Sequence, residues 1–255
     1  MSFLPSVFTI FSLFLGFLAL LQIFKGKAEN FENAVFLLAG SVLMDGFDGT
    51  IARLTKTESN FGVQLDSLVD AITFGLVTSV MIYMWGYQYA EAPLGKVLAF
   101  AFLTAGVVRL ARFNVLKEAH AVPSNIFVGL PIPLGALAIS SAVLLFREPL
   151  QTTTERLIFS FYVLLISVLM VSTVKYRTMK NIRSKKTVLI LLGFAVIVSF
   201  AITYPRFTIP YLAFGYIISP VFFYVYGKFR KNKLPVNPMP TSLTHIPEKE
   251  GNPEP

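Results

Sequence analysis

The sequence predicts an all-α protein, a polytopic transmembrane helical bundle of about eight spans with both termini cytoplasmic. Three observations carry that expectation. Of the 255 residues, 55% are hydrophobic and 14% charged, against about a quarter charged in soluble domains, and mean hydropathy is +0.66. The apolar residues fall into eight runs, most of them near the roughly 20 residues that cross about 30 Å of hydrocarbon. Lys and Arg are also unevenly shared between the loops that join those runs.

Taken in order, the expected spans are Leu4–Phe24, Phe31–Met44, Asp66–Trp85, Val97–Leu116, Phe127–Phe146, Leu157–Val174, Val188–Tyr204 and Phe207–Tyr226. The first has no basic n-region and no small-residue cleavage site near Met1, so it is read as a retained span. The second is short unless its helix continues through the polar segment after Met44. Tyr83, Trp85, Tyr87 and Tyr89 gather at the end of the third, as in an interfacial belt. Pro131 and Pro133 are expected to break the fifth locally. With the N-terminus cytoplasmic, 16 of the 22 Lys and Arg residues fall on the cytoplasmic side. The domain reading is a transmembrane domain over 1–226 and a basic, then proline-rich, cytoplasmic tail over 227–255. From Leu234 that tail holds six of the fifteen prolines and predicts disorder.

Composition also closes several routes. The chain has no cysteine, which excludes disulfides, thiolate catalysis and zinc–thiolate sites. A net charge of +8 sits in loops between apolar runs, so the expected partner is anionic membrane lipid and not nucleic acid.

The acids are more informative. The only aspartates are Asp45, Asp48, Asp66 and Asp70, at the expected cytoplasmic ends of spans two and three. A carboxylate near hydrocarbon costs roughly 2.5–3.5 kcal/mol on insertion scales, and four together repel one another. Asp45 and Asp48 are i, i+3, and Asp66 and Asp70 are i, i+4, so each pair shares one helical face. Small residues (Gly49, Ala52, Gly62) continue those stripes and leave room for a bulky ligand. Two facing pairs make an all-oxygen site suited to Mg²⁺ or Mn²⁺. Four acids suffice for two ions, an arrangement that commonly clamps both oxygens in displacement at phosphorus. Two other readings stay open here. The acids are structural glue with Arg53 and Lys56 or helix caps, or they form a proton or cation path.

The motif Asp45-x-x-Asp48-Gly49-x-x-Ala52-Arg53, eight residues, Gly62-x-x-x-Asp66-x-x-x-Asp70 resembles the CDP-alcohol phosphotransferase signature at every fixed position. Further blocks are similar to the phosphatidylserine synthase branch of that family. They are Phe61-Gly62, Leu65-Asp66-Ser67-Leu68, Phe74-Gly75, Arg109-x-x-Arg112-Phe113-Asn114, Gly129-x-Pro131-x-Pro133, and Met170-x-Ser172 with Tyr176. The chain departs from the branch at Pro5-Ser6-Val7-Phe8-Thr9, where an asparagine usually follows the proline; Thr9 is retained.

The resemblance implies a multi-span membrane enzyme that moves a phosphatidyl group from CDP-diacylglycerol to L-serine, releasing CMP, at the cytoplasmic face. It implies that Asp45, Asp48 and Asp66 ligate metal and that Asp70 ligates and acts as general base. Thr9, Gly49, Ala52, Arg53 and Gly62 are expected around the nucleotide and its phosphates, and a homodimer is expected. Arg109 and Arg112 either snorkel to headgroups or hold the serine carboxylate as a guanidinium fork, with Asn114 assisting. Sister enzymes using glycerol phosphate, inositol phosphate, choline or an archaetidyl donor remain rivals, as do membrane prenyltransferases and a cation transporter.

Overall fold

The computed structural model describes residues 3–54, 59–88, 93–118, 126–177 and 203–231. Helices α1 (Phe3–Ile23) and α2 (Ala28–Leu54) are followed by α3 (Asn60–Asp70), a π-helical turn (Ala71–Leu76) and α4 (Val77–Gly86). Next come α5 (Pro93–Glu118), strand β1 (Ile126–Val128), α6 (Ile132–Phe146), α7 (Thr153–Val171), strand β2 (Lys175–Arg177) and α8 (Pro205–Lys231). Residues 1–220 form one compact unit and 221–255 a second, of which the described part is the end of α8.

Four helices are long and apolar enough to cross a membrane among the described residues, over Ser6–Ile23, Asn60–Gly86, Pro93–Leu116 and Thr153–Val171. Large apolar side chains such as Phe14, Phe17, Phe100 and Phe161 point outward from them, as lipid-facing residues do. The expected seventh span, Val188–Tyr204, lies almost wholly outside the described residues, as does most of the tail.

Helix α2 does run on past Met44, reaching Leu54. At 27 residues and about 1.5 Å per residue it is about 40 Å long, so its polar last turns extend beyond an apolar first half. The expected fifth span is corrected. Residues 126–128 are a strand paired antiparallel with 175–177, and the helix starts only at Ile132. Gly129 adopts φ +78°, and an added Cβ there would strike the Met170 carbonyl. Pro131 then takes the N-cap position and Pro133 stands in the first turn. The two prolines therefore start α6 instead of breaking it, because a helix's first residues need no N–H donor.

Packing of the first three helices relies on small polar residues. Ser12 Oγ donates to Ser41 O and Ser41 Oγ donates to Ser12 O, both at 3.1 Å. This reciprocal pair fixes α1 on α2. A Cβ on Gly16 would come within 2.7 Å of Thr73 Cγ2, so α1 approaches the π-turn closely. Small side chains at membrane helix interfaces allow such contact. At the other end of α4, Trp85 packs edge-on against Phe159 with centroids 5.2 Å apart. Helix α7 begins with a capping box, Thr152 and Glu155 each bonding the other's backbone, which satisfies two of its free N–H groups. An ion pair between Arg206 and Glu32 ties α8 to α2.

Candidate active site

The acid cluster forms where α2 and α3, each packed against α1, bring their aspartates together. Ser59 caps α3 by accepting from Gly62 N at 3.1 Å, which sets the helical phase of Asp66 and Asp70 one and two turns later. Oxygens of Asp45, Asp48 and Asp66 lie within 4.8 Å of one another. That separation is near the roughly 4 Å spanned by opposite ligands of an ion with about 2.1 Å bonds. The carboxyl group of Asp45 is in hydrogen-bonding contact with those of Asp66 and Asp70.

Asp48 and Asp70 are 6% and 7% exposed, whereas Asp45 and Asp66 are half-buried. Thr9 Oγ1 of α1 donates to Asp48 Oδ2 at 2.7 Å, the short distance expected of a hydroxyl on a carboxylate. Asp70 Oδ1 is buried with no hydrogen-bond partner among the described residues. Immediately after Asp70 the helix widens into the π-turn, a distortion often found at functional sites. An all-carboxylate set with one oxygen unsatisfied fits a hard divalent cation.

Among the described residues, Arg109 of α5 is a basic side chain in the field of these acids. It is 5% exposed, lies in the field of Asp70 and Asp45, and its guanidinium sits 5.3 Å above the Phe113 ring centroid. Arg112, one turn on, is placed differently. Its Nη1 donates to Val171 O at 2.6 Å, and its Nη2 lies within reach of Ser172 O (3.0 Å), Val128 O (3.2 Å) and Met170 O (3.3 Å). This guanidinium satisfies the last carbonyls of α7 and fastens β1 beside them. Asn114 Nδ2 donates to Ser67 Oγ at 2.9 Å, tying α5 to the residue after Asp66. Neither side chain is arranged as an open carboxylate fork.

The remaining expected site residues divide. Thr9 bonds Asp48 within the cluster, and Gly62, one turn before Asp66, has its N–H in the cap of α3. Residues 49–54 continue the α2 backbone, but Gly49 and the side chains of Ala52 and Arg53 lie outside the described residues. Ser67 stands in the block Leu65-Asp66-Ser67-Leu68, but its bond to Asn114 carried no sequence signal. Tyr216 sits in an apolar run far along the chain and was not marked by any motif.

Comparison with known proteins matches residues 2–175 to the family model described as CDP-alcohol phosphatidyltransferase. The chain belongs to the CDP-alcohol phosphatidyltransferase family. It is therefore a transferase of phospholipid biosynthesis, and the prenyltransferase and transporter readings fall away. It is similar to the CDP-diacylglycerol–serine O-phosphatidyltransferase of Helicobacter pylori, 36% identical over 239 residues that cover 90% of this chain and 95% of that protein. The protein of the same name from Methanocaldococcus jannaschii is 33% identical over 165 residues, 65% of this chain and 74% of that one. An archaetidylserine synthase from Methanothermobacter thermautotrophicus is 32% identical over 178 residues, 68% of this chain and 69% of its own length.

A cluster of acids that repel until a cation binds makes a thermodynamic prediction. In EDTA at mildly alkaline pH, Asp45→Asn removes one repelling charge and unfolds at a higher temperature than the unsubstituted protein. Mg²⁺ then raises the unsubstituted Tm more than that of the variant, by roughly 2–4 °C per kcal/mol of binding free energy for a chain of this size. Thermal unfolding in detergent checks it. A variant less stable in EDTA, with no Mg²⁺ response in either protein, contradicts the cation site.

Proposed function

We propose that this chain transfers the phosphatidyl group of CDP-diacylglycerol to the hydroxyl of L-serine, giving phosphatidylserine and CMP. The observation that carries the reading is a set of four carboxylates standing beside one buried arginine. The names of the relatives support it, since they share serine as acceptor. Asp45, Asp48, Asp66 and Asp70 hold Mg²⁺ or Mn²⁺, two ions in this reading. When bound, the cations offset the pyrophosphate charge and stabilise departing CMP.

The chain's own groups do the rest. A serine hydroxyl is a weak nucleophile at neutral pH and needs a base within hydrogen-bond reach. Asp70, with one oxygen unpartnered, takes the hydroxyl proton as the serine oxygen bonds to phosphorus. The bond from phosphorus to the CMP oxygen breaks and its electron pair leaves with CMP. Thr9 orients Asp48 through its hydrogen bond, and Gly49, Ala52, Arg53 and Gly62 adjoin the nucleotide and phosphates. Arg109 neutralises the serine carboxylate, while Arg112 is a structural anchor and Asn114 braces α3. The archaetidylserine relative favours a second reading that differs only in the donor, an archaeal lipid.

In the same proposal residues 1–226 cross the membrane about eight times and 227–255 form a cytoplasmic tail. Both termini and the active site lie at the cytoplasmic face, and two copies associate as a homodimer.

CMP release from CDP-diacylglycerol by the purified protein is expected with L-serine and not with glycerol phosphate, inositol phosphate or choline. Arg109→Lys keeps the charge and loses the fork. It is expected to raise the serine KM about tenfold to a hundredfold, given roughly 1.5–3 kcal/mol for a hydrogen bond to a charged group. Arg112→Lys is expected to lower Tm with the serine KM little changed. Faster release with another acceptor overturns the serine assignment. For topology, a membrane-impermeant label at Lys185 reacts from the cytoplasmic side and one at Lys27 from the other; the same side for both overturns the span count.

A further inference from the structure

The run from α3 through the π-turn to α4 forms a single apolar stretch, Asn60–Gly86, with Asp66 and Asp70 in its first half and Trp85 in its last turn. At about 1.5 Å per residue, Trp85 stands roughly 20 Å beyond Asp70, toward the other surface of the membrane. A cavity of about 210 Å³ lies there between the end of α6 and the start of α7, with Trp85 in its wall. Tyr162 of α7 and Phe214 of α8, ring centroids 5.9 Å apart, also line it. None of its lining residues belongs to the acid site.

The lining offers a ligand carbon and little else. Ser141 Oγ and Tyr162 Oη both donate to the Ala138 carbonyl, at 2.6 and 2.9 Å. Glu155 Oε2 accepts from the N–H groups of Gln151 and Thr152, each at 3.0 Å, so that carboxylate serves the cap of α7. The Trp85 indole nitrogen is enclosed and adds no polar surface. A trapped water needs several polar partners, and those in this wall are spent on backbone. Apolar cavities of roughly 150 Å³ instead take small hydrocarbons.

The mouth decides which hydrocarbon. Leu145, Phe146 and Ile158 line the cavity yet are each more than half exposed, so it opens on the outer face of α6 and α7. Helix α7 is long and apolar enough to cross a membrane, and what meets such a face is the acyl region of the bilayer. Left empty, the cavity would forfeit the dispersion contacts of its walls; a chain entering from the side restores them. We propose that this cavity is a lipid-binding site that takes one acyl chain of a bilayer phospholipid, in the leaflet away from the acid cluster. The inference does not depend on the phosphatidyl-transfer reading, since no catalytic or acceptor-binding residue takes part.

Trp85 is the chain's one tryptophan, so its fluorescence reports on this wall. The purified full chain in detergent is titrated with phosphatidylcholine brominated along its acyl chains, because bromine quenches an indole it touches. The expected result is quenching of most of the emission, saturating at one lipid per chain and reversed by unbrominated phosphatidylcholine. Ala142→Phe fills the cavity and loses that saturable quenching. Leu145→Phe, at the exposed mouth where folding is not at stake, raises the lipid concentration needed for half-quenching. Quenching that grows with brominated lipid without saturating, equally in the unsubstituted protein and both variants, shows only the general lipid coat and overturns the site. No quenching at all overturns it too, the cavity then being covered by another segment of the chain or by a second copy.

Discussion

Mutual repulsion among four carboxylates sets the terms for the rest of this structure. Asp48 and Asp70 are almost fully buried, and Asp45 contacts both Asp66 and Asp70, in a bundle that is otherwise largely carbon. Charges so close and so poorly solvated separate or protonate unless the fold holds them and a cation compensates. Arg109, the buried arginine in their field among the described residues, offsets only part of that charge. Under the proposed function such a costly arrangement has a use, since a cation held by the acids would also meet the phosphates of a pyrophosphate donor.

Much of the surrounding structure holds this cluster together. The reciprocal Ser12–Ser41 hydrogen bonds and the close approach of Gly16 to Thr73 lock α1 onto α2 and the π-turn, bringing Thr9 to Asp48. Ser59 sets the start of α3. On the far side Asn114 braces Ser67, and Arg112 gathers the end of α7 and strand β1. The turn at Gly129, followed by Pro131 and Pro133, lets the chain leave that gathering point directly into α6.

The acid site was legible in the sequence because its information is periodic. Two aspartate pairs at i, i+3 and i, i+4 define helical faces without any tertiary knowledge, and the fixed small residues between them identify the family. The start of α6 was misread because hydropathy counts Phe127 and Val128 as membrane residues. Only the positive φ of Gly129 and the pairing with residues 175–177 reveal a strand there. Arg109 and Arg112 share one helix face three residues apart, so spacing gave them equal standing. What separates them is a set of backbone carbonyls from α7 and β1, contributed by residues up to 60 positions away. The Asn114–Ser67 bond and the stacking of Tyr216 on Tyr176 are likewise long-range contacts that spacing does not reveal.

The central claim, that the four aspartates form a site for paired divalent cations, is most directly tested by electron paramagnetic resonance of Mn²⁺ bound to the purified protein. The account predicts two ions per chain with the line broadening of magnetically coupled neighbours, and loss of the coupled signal in Asp66→Asn. A single uncoupled ion that binds equally well to Asp66→Asn, or no Mn²⁺ binding at all, would contradict it.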